Sequence, residues 1–409
     1  MTVYDVCIIG GGASGLIAAI SAKRTRPDLK VIVIEKNDRV GKKLINTGNG
    51  RCNITNADIS ADHYYSSDNA FFDYFDGFSL NDTKDFFESI GVLFKEEEKG
   101  KIYPYSLQAS SVLDALRYEC ERLLVDIHCS EKVEKLDKSN DKFQVATNLS
   151  SYTSQTVIIA AGGAASDKLG GCRDGYNLLK QYGHTCTPLY PCITAVKTEL
   201  NLIKALKGIK TDAILTLKVG NSRKSDFGEI LFTEYGISGP PVLQLSQMLK
   251  GRADNALFSI DFMPEYDFES IVSMIKKRLN SVYEDKLENL FIGMLNKRIG
   301  QTIIKSAGLQ LSDSASNLNE KEIRGIVSKI KKFPLEVTGV RGFEYAQVTG
   351  GGIELNRFNH ETMQSSLCKG LFACGEVLDV TGDCGGFNLQ WAWTSGYKAG
   401  LSAARSIKR

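Results

Sequence analysis

The sequence has no C-x-x-C pair among its ten cysteines, which stand at 7, 52, 120, 129, 172, 186, 192, 368, 374 and 384. That spacing is what a dithiol redox centre uses, so disulfide reduction is a poor fit to this chain. Cys368 and Cys374 are close together but match no usual zinc pattern, and no metal site is expected. A chain of 409 residues needs no disulfide framework, so the cysteines read as free thiols in a reducing compartment. Charge of one sign is also missing. Fifty basic residues face 48 acidic ones, a net charge of +2, whereas a long-range field toward nucleic acid or anionic membrane needs an imbalance or a patch. The longest charged run, Lys95 to Lys101, mixes both signs and reads as a solvated turn between two strands. There is no run of about twenty apolar residues, so no membrane-spanning helix is expected. The apolar runs Val6–Ile9 and Leu16–Ala22 do not make a signal peptide. Asp5 interrupts the start, no basic segment precedes them, and glycines separate them. The expected location is the cytoplasm.

What is present is strongly patterned. Tyr4–Ile9 is short, β-branched and stopped by glycines, which predicts a buried strand. Ala13–Thr25 predicts a helix ending before Pro27, and Val31–Glu35 a second buried strand. The three pieces have the size of a strand–helix–strand unit. Gly41–Asn56 reads as a loop rich in Gly and Asn. Asn81 is the expected N-cap of a helix reaching about Ile90. Ser110 is the expected opener of a helix from about Ser111 to Leu124, with Val112, Leu113, Leu116 and Leu123 on one face. Val125–His128 predicts a strand, Lys132–Lys135 with Phe143–Ala146 a hairpin, Thr156–Ala161 a strand, and Asp174–Tyr182 a short helix.

At Pro188 the composition changes. Alternating strands, among them Ala213–Val219 and Leu257–Phe262, fill 188–263, and 264–332 is mostly helical. Phe333–Val340 turns back to strand. The strand Gly370–Cys374 and a helix Asn388–Ile407 then rejoin the first part. The expected organisation is α/β: a discontinuous Rossmann-like domain over 1–187 and 341–409, carrying an inserted domain over 188–340 that is β-barrel-like and then helical.

The strongest local motif is Gly10-Gly11-Gly12-Ala13-Ser14-Gly15, in which Gly10, Gly12 and Gly15 satisfy G-x-G-x-x-G. Alone the pattern is weak, but here a strand precedes it, a helix follows it, and Glu35 ends the next strand twenty residues past Gly15. The first glycine makes the tight turn, the second lets the backbone approach a diphosphate, and the third lets helix and strand pack closely. The diphosphate would sit on free N–H groups at the positive helix end. Glu35 can accept both ribose hydroxyls and would repel a 2′-phosphate, which favours FAD or NAD over NADP. A bare tight turn is the bland reading, and the matched context outweighs it.

Two further segments point to FAD. Gly48-Asn49-Gly50-Arg51-Cys52-Asn53 exposes backbone N–H groups between glycines and supplies a fixed cation. At the other end of the chain, Ala373-Cys374-Gly375-Glu376, with Asp379, leads to Gly385-Gly386-Phe387-Asn388-Leu389-Gln390. A strand, a Gly-rich turn and a helix start again aim N–H groups at one point. A flavin needs such a positive end where reduction places negative charge. Taken alone, this second segment is equally an ordinary helix start with flexible glycines.

With these segments in view, the chain resembles the bacterial flavoproteins grouped as aminoacetone-oxidase-like and BaiN-like FAD-dependent oxidoreductases. The segments that carry the likeness are GGGASG, GKKLINTGNGRCNITN (41–56), YPYSLQASSVLDAL (103–116), DGYNLLKQYGH (174–184), LFTEYGISGPPVL (231–243), VTGGGIEL (348–355) and LFACGEVLDVTGDCGGFNLQWAWTSGYKAG (371–400). They span nearly the whole chain in order. Cys384 departs from the Thr-like residue more usual there. The resemblance implies a fumarate-reductase-related FAD domain with the insertion folding over the flavin. It also implies that Glu35, the Gly48–Asn53 segment, the backbone near Val133 and the Gly375–Gln390 segment hold non-covalent FAD. The candidate cofactor set is therefore Gly10, Gly12, Ala13, Ser14, Gly15, Glu35, Lys36, Gly41, Lys42, Thr47, Gly48, Gly50, Arg51, Cys52, Asn53, Val133, Ala161, Gly162, Gly163, Gly375, Glu376, Asp379, Gly386, Phe387, Asn388, Leu389 and Gln390.

No acid or base stands out. Of His63, His128, His184 and His360, His128 sits on a predicted strand and His184 follows a helix, and a hydrogen-bonded structural role is the better reading. Arg51, Asn53 and Tyr105 are candidates for groups near the isoalloxazine. No second G-x-G-x-x-G follows Thr156–Ala161, so NAD(P)H has no dedicated domain and would act only as a transient electron donor. The expected substrate is a small organic molecule, by amine oxidation or by reduction of an enone or sterol-like ring, with no nucleic acid or membrane partner. The competing reading from another class is a tRNA-modifying or RNA-binding flavoprotein. The lysines of 321–332 would support it, but Glu320 and Glu322 are mixed among them.

Overall fold

The computed structural model of the chain describes residues 2–279 and 286–408. It forms two compact units, Met1–Tyr190 with Gln347–Arg409, and Pro191–Ala346. The reading of the sequence set these crossings near Pro188 and Val340.

In the first unit, β1 (Thr2–Ile9) and β2 (Val31–Ile34) are joined by the helix α1 (Ala13–Thr25). β1 pairs in parallel with β2 on one side and with Ser151–Ile159 on the other. Asp126–His128 extends the parallel set beyond β2, and Leu371–Ala373 adds to Ser151–Ile159. Lys142–Thr147 and Val133–Ser139 complete the seven-stranded sheet as an antiparallel hairpin, in the region where a hairpin was expected. The parallel strands read as unbroken apolar runs because helices cover both faces of such a sheet. Val31–Ile34 is buried at every position.

α1 is buried nearly all round from Ser14 to Lys23. Its small residues admit the C-terminal helix Phe387–Ser406 at backbone distance: a side chain at Gly396 would strike the Ser14 carbonyl, and one at Gly400 the Ala18 carbonyl. The same helix is tied down by its two tryptophans and a glutamine. Trp391 Nε1 donates to the Gly375 carbonyl at 3.1 Å, and Trp393 Nε1 to that of Ile54 at 2.9 Å. Gln390 is fully buried, accepting from Thr55 Oγ1 at 2.6 Å and donating to Thr83 and Thr394. Buried amides are stable only when so satisfied.

Two helix starts differ from expectation. The helix of 80–88 is capped by Ser79, not Asn81. Ser79 accepts from the Asp82 amide, and the Asp82 carboxylate accepts from the Ser79 N–H, so both free ends are satisfied at once. Asn81 is already the second helical residue and lies too deep to do this. The next helix, Ala109–Arg122, begins after Gln108 rather than at Ser110, and no side chain caps it. Ser111 instead donates to the Gln108 carbonyl at 2.8 Å.

The second unit contains a closed six-stranded barrel. Its order is Val196–Thr198, Gly236–Ser238, Ser222–Phe232, Lys210–Val219, Ala256–Asp261 and Phe333–Val340, which closes onto the first strand. Leu215, Leu217, Ile230, Phe232, Phe258, Ile260 and Phe333 are buried in its core. The helices Phe268–Leu279, Lys297–Ser306 and Glu320–Lys331 belong to the same unit. Residues 280–285, within the run expected to be helical, lie outside the described residues. Among the described residues no helix is long and apolar enough to cross a membrane.

Candidate functional site

β1 ends at a turn that only glycine can make. Gly10 has φ +110°, and any side chain there would land on the Ala160 carbonyl. A side chain at Gly15 would in turn collide with the Gly10 carbonyl, so this glycine is what lets α1 sit on the strand end. Gly12, the N-cap of α1, behaves differently. Its φ of −82° is ordinary, and an added Cβ would meet no protein atom within 4 Å. Nothing in the protein's own packing demands glycine at 12, and its open side faces a cavity. The first intrahelical bond runs from Leu16 N to Gly12 O at 3.0 Å, so the amides of 13–15 precede the hydrogen-bonded ladder.

That cavity encloses about 1320 Å³ including its mouth, and all of its walls belong to the first unit. Of the expected residues it gathers Gly10, Gly12, Ala13, Ser14, Glu35, Lys36, Gly41, Lys42, Thr47, Val133, Ala161, Gly162, Gly163, Glu376, Asn388 and Leu389. Two helix N-termini therefore open on one space, α1 at 13–14 and the C-terminal helix at 388–389. In the latter helix, Gln390 N closes on Gly386 O, so the amides of 387–389 come before its ladder.

Glu35 is buried at the cavity wall. One oxygen accepts the Gly11 amide at 2.8 Å, and the other accepts Asn37 N at 2.8 Å and Nδ2 at 2.6 Å. These bonds fix the carboxylate at the end of β2 while leaving lone-pair capacity for a ligand.

The remaining expected residues support the wall rather than line it. Gly15 is buried in the α1 turn. Gly48 packs on Asn53 and Tyr103 in the same loop as Gly50, and Gly375 on Ser14. Cys52 is fully buried, and burial pushes its thiol up to about 12, which suits packing and not nucleophilic chemistry. Asp379 is buried and accepts from Ser67 N and Oγ. Gly386 caps the last helix, Phe387 stacks on His63, and Gln390 makes the buried bonds already described. Asn53 is buried, and its Oδ1 has no partner. An unmet buried acceptor costs on the order of 1–3 kcal/mol, so it asks for a donor.

Arg51 and Tyr105 are not cavity-lining residues. Arg51 pairs with Glu97 at 3.0 Å and lies over the Tyr103 ring at 4.3 Å. Tyr105 is 69% exposed.

Several wall residues were not foreseen. Lys43 pairs with Glu376 at 2.6 Å, and the other oxygen of Glu376 accepts the Thr349 amide at 2.9 Å. Lys132 pairs with Asp174 at 3.3 Å. Glu131, Leu169–Cys172, Gln347, Val348, Val380, Trp391 and Ala392 are also among the lining residues. Burial works to raise the Glu131 carboxyl, but hydrogen bonds from Thr147, Tyr152 and His128 hold it below its ordinary value. His128 is thus bound into a structural network. His184 is buried and neutral, driven down to about 4 by burial and by Arg357, with Nε2 at 2.9 Å from Ser365 Oγ. Among the described residues no group of three or more His, Cys, Asp and Glu is placed to hold a metal.

A parallel sheet, a glycine turn onto a helix end, and a carboxylate at the end of the next strand define a dinucleotide-binding protein of the Rossmann class. The chain belongs to the HI0933-like Rossmann-domain family, whose model matches residues 4–402. It is similar to the 3-dehydro-bile acid delta(4,6)-reductase of Clostridium scindens, 35% identical over 402 residues covering 97% of this chain and 98% of that protein. It is also similar to the ribosomal RNA dihydrouridine synthase of Haemophilus influenzae, 29% identical over 409 residues covering 97% and 98%. Among solved structures, the open conformation of a flavocytochrome c3 fumarate reductase shares the fold. It matches with a TM-score of 0.50 at 18% identity, over 99% of this chain and 78% of that one.

Proposed function

We propose that this chain is an FAD-dependent oxidoreductase that reduces a carbon–carbon double bond conjugated to a carbonyl in a small organic substrate. The observation that carries the cofactor assignment is the pair of helix N-termini opening on one cavity. The side-chain space left empty at Gly12 fits a large ligand there. The amides of 13–15 would hold the diphosphate, Glu35 the adenosine ribose, the Val133 backbone the adenine, and the amides of 387–389 the flavin edge. Glu376, with Lys43 held against it, would meet the ribityl chain. When bound, FAD supplies a hydride and its electron pair. The protein's own part is to orient the substrate, exclude water and provide the balancing proton.

The substrate class follows from what the two relatives' names have in common. A 3-oxo-4,6-diene and the C5=C6 bond of uracil are both olefins conjugated to a carbonyl, and both are saturated by net addition of hydride and proton. The higher identity to the bile-acid enzyme and the near-neutral charge favour a small substrate over RNA. NAD(P)H fits as the electron donor, sharing the substrate's cleft. The test is anaerobic. Flavin-reduced protein is mixed in turn with a 3-oxo-4,6-diene steroid acid, with uridine-containing ribosomal RNA, and with buffer. Peroxide formation from candidate amines is followed separately in air. Reoxidation by the steroid alone is the expected result. Reoxidation by RNA alone would transfer the assignment to RNA modification, and peroxide with amines alone would make the chain an oxidase.

A further inference from the structure

No histidine lines the cavity. One cluster of titratable groups close behind it has been given no role. His63 is bonded at both ring nitrogens to carboxylates, Nε2 to Asp58 at 3.0 Å and Nδ1 to Asp383 at 3.1 Å. The Tyr65 hydroxyl donates to the other oxygen of Asp383 at 2.9 Å. Exposure falls from the Asp58 side chain, 72% exposed, through His63, 29%, to Asp383, 7%. The Tyr65 ring beyond it is half-buried, so the chain leads from solvent through a buried carboxylate to a partly open hydroxyl. Asp383 also takes the His63 carbonyl through its own amide at 2.8 Å, and the strands of 64–65 and 381–382 pair, so the geometry is fixed twice over.

The inner end lies beside the cavity. The loop bearing Asp383 leaves the cavity wall at Val380 and rejoins it at Asn388. Asn388 exchanges bonds with both backbone groups of Gly382 at 2.8 Å, and its Nδ2 reaches the Asp383 carbonyl at 3.4 Å. The His63 ring stacks on Phe387, the first residue of the C-terminal helix, with centroids 4.4 Å apart.

We infer that Asp58, His63, Asp383 and Tyr65 form the proton path of this site, carrying a proton from solvent to the substrate carbon that receives no hydride. The inference rests on the reductase reading. An imidazole with a carboxylate on each nitrogen satisfies both only as the doubly protonated cation, so the path holds a proton at rest. Burial works to lower the affinity of His63 for that proton. The hydrogen bonds and charges of Asp383 and Asp58 outweigh it and hold the group above the ordinary histidine range. The other titratable groups around the ring are Asp62, next to it in the chain, and Tyr64, whose hydroxyl donates to the Phe387 carbonyl at 3.0 Å.

The balance is as follows. Hydride, with its electron pair, adds to the β-carbon of the conjugated carbonyl, and the Tyr65 hydroxyl gives its proton to the α-carbon. The phenolate recovers a proton from the His63 imidazolium through Asp383, and neutral His63 is recharged from solvent past Asp58. The reductant is the reduced flavin, itself reduced by a nicotinamide dinucleotide.

The experiment uses holoenzyme carrying His63→Gln, Asp383→Asn or Tyr65→Phe, with flavin content measured first. Each reduced protein is reoxidised anaerobically in turn by a 3-oxo-4,6-diene steroid acid and by ferricyanide, which accepts electrons without protonation at carbon. The expected result is reoxidation by the steroid slowed roughly a hundredfold or more, with ferricyanide rates within about twofold of the unsubstituted protein. Nitrogen-15 spectra of the imidazole should show both His63 nitrogens protonated at pH 7. Steroid rates unchanged in Tyr65→Phe and His63→Gln would overturn the path while leaving the reductase reading intact, as would a neutral His63 at pH 7. An unsubstituted protein that ferricyanide reoxidises and the steroid does not would overturn both.

Discussion

Gly12 and Gly15 sit three residues apart in one motif, and the structure gives them opposite reasons for being glycine. The substitutions Gly12→Ala and Gly15→Ala should therefore separate binding from folding. At position 12 the backbone is in an ordinary region and the new methyl group meets nothing. Alanine is a poorer N-cap than glycine but removes unfolded-state freedom, and the two effects leave a net change within about 1 kcal/mol. The methyl group does occupy the space expected for the diphosphate. Losing one charge-assisted bond there costs about 1.5–3 kcal/mol, or about ten- to a hundredfold in FAD affinity. At position 15 the methyl group falls on the Gly10 carbonyl. Overpacking of this kind costs roughly 1–3 kcal/mol or more, a fall on the order of 2–10 °C in the melting temperature of a unit this size. The assay is thermal unfolding of flavin-stripped protein beside fluorescence titration with FAD. If Gly12→Ala melts as early as Gly15→Ala, or binds FAD as tightly as the unsubstituted protein, the cavity at Gly12 is not the diphosphate site.

Further outcomes follow from the same geometry. Acid precipitation should release all the flavin into the supernatant as FAD, since no histidine or tyrosine lines the cavity; flavin in the pellet would show a covalent link. Glu35→Ala should weaken FAD binding by about 1.5–3 kcal/mol for each ribose bond lost, measured by the same titration, and Glu35→Gln by less. His63 has its folded value raised, so its bonds to Asp58 and Asp383 stabilise fully below the unfolded value of about 6.5 and are lost as pH rises through the folded value. The melting-temperature gap between the unsubstituted protein and His63→Gln should therefore close with rising pH; a gap that widens would contradict the cationic ring. NAD(P)H should reduce the flavin in competition with a substrate analogue, because no second dinucleotide motif exists. Fast saturable reduction unaffected by the analogue in stopped flow would reveal a separate nicotinamide site.

The parts of the fold legible in the sequence are those set by short-range rules. Glycines at 10 and 15, the unbroken Val31–Ile34 run and the return of the chain at Leu371–Ala373 follow from strand and turn chemistry alone. The helix start at Ser79 was legible too, since Ser79-Leu80-Asn81-Asp82 carries the capping-box spacing, and Asn81 was a worse reading of the same four residues. Lys43, Lys132 and Asp174 could not be found this way. Each owes its position to a partner far along the chain, 333 residues away for Lys43 and Glu376, and a surface lysine and a wall lysine look alike in sequence. The tie between His63 and Asp383 could not be found this way either, because the two lie 320 residues apart.

The close seat of the C-terminal helix on α1 has a consequence for how the protein is made. α1 ends at Thr25 and its partner begins at Phe387, so the ribosome must add roughly 360 residues before the two can meet. At ~5–20 residues per second that is on the order of 20–70 s. For that time the nascent chain shows an apolar helix face that nothing else in it is shaped to cover, and the second helix end that the flavin needs does not yet exist. Cofactor capture is therefore a late event. FAD can stabilise the fold of a newly made molecule only after the last helix has emerged.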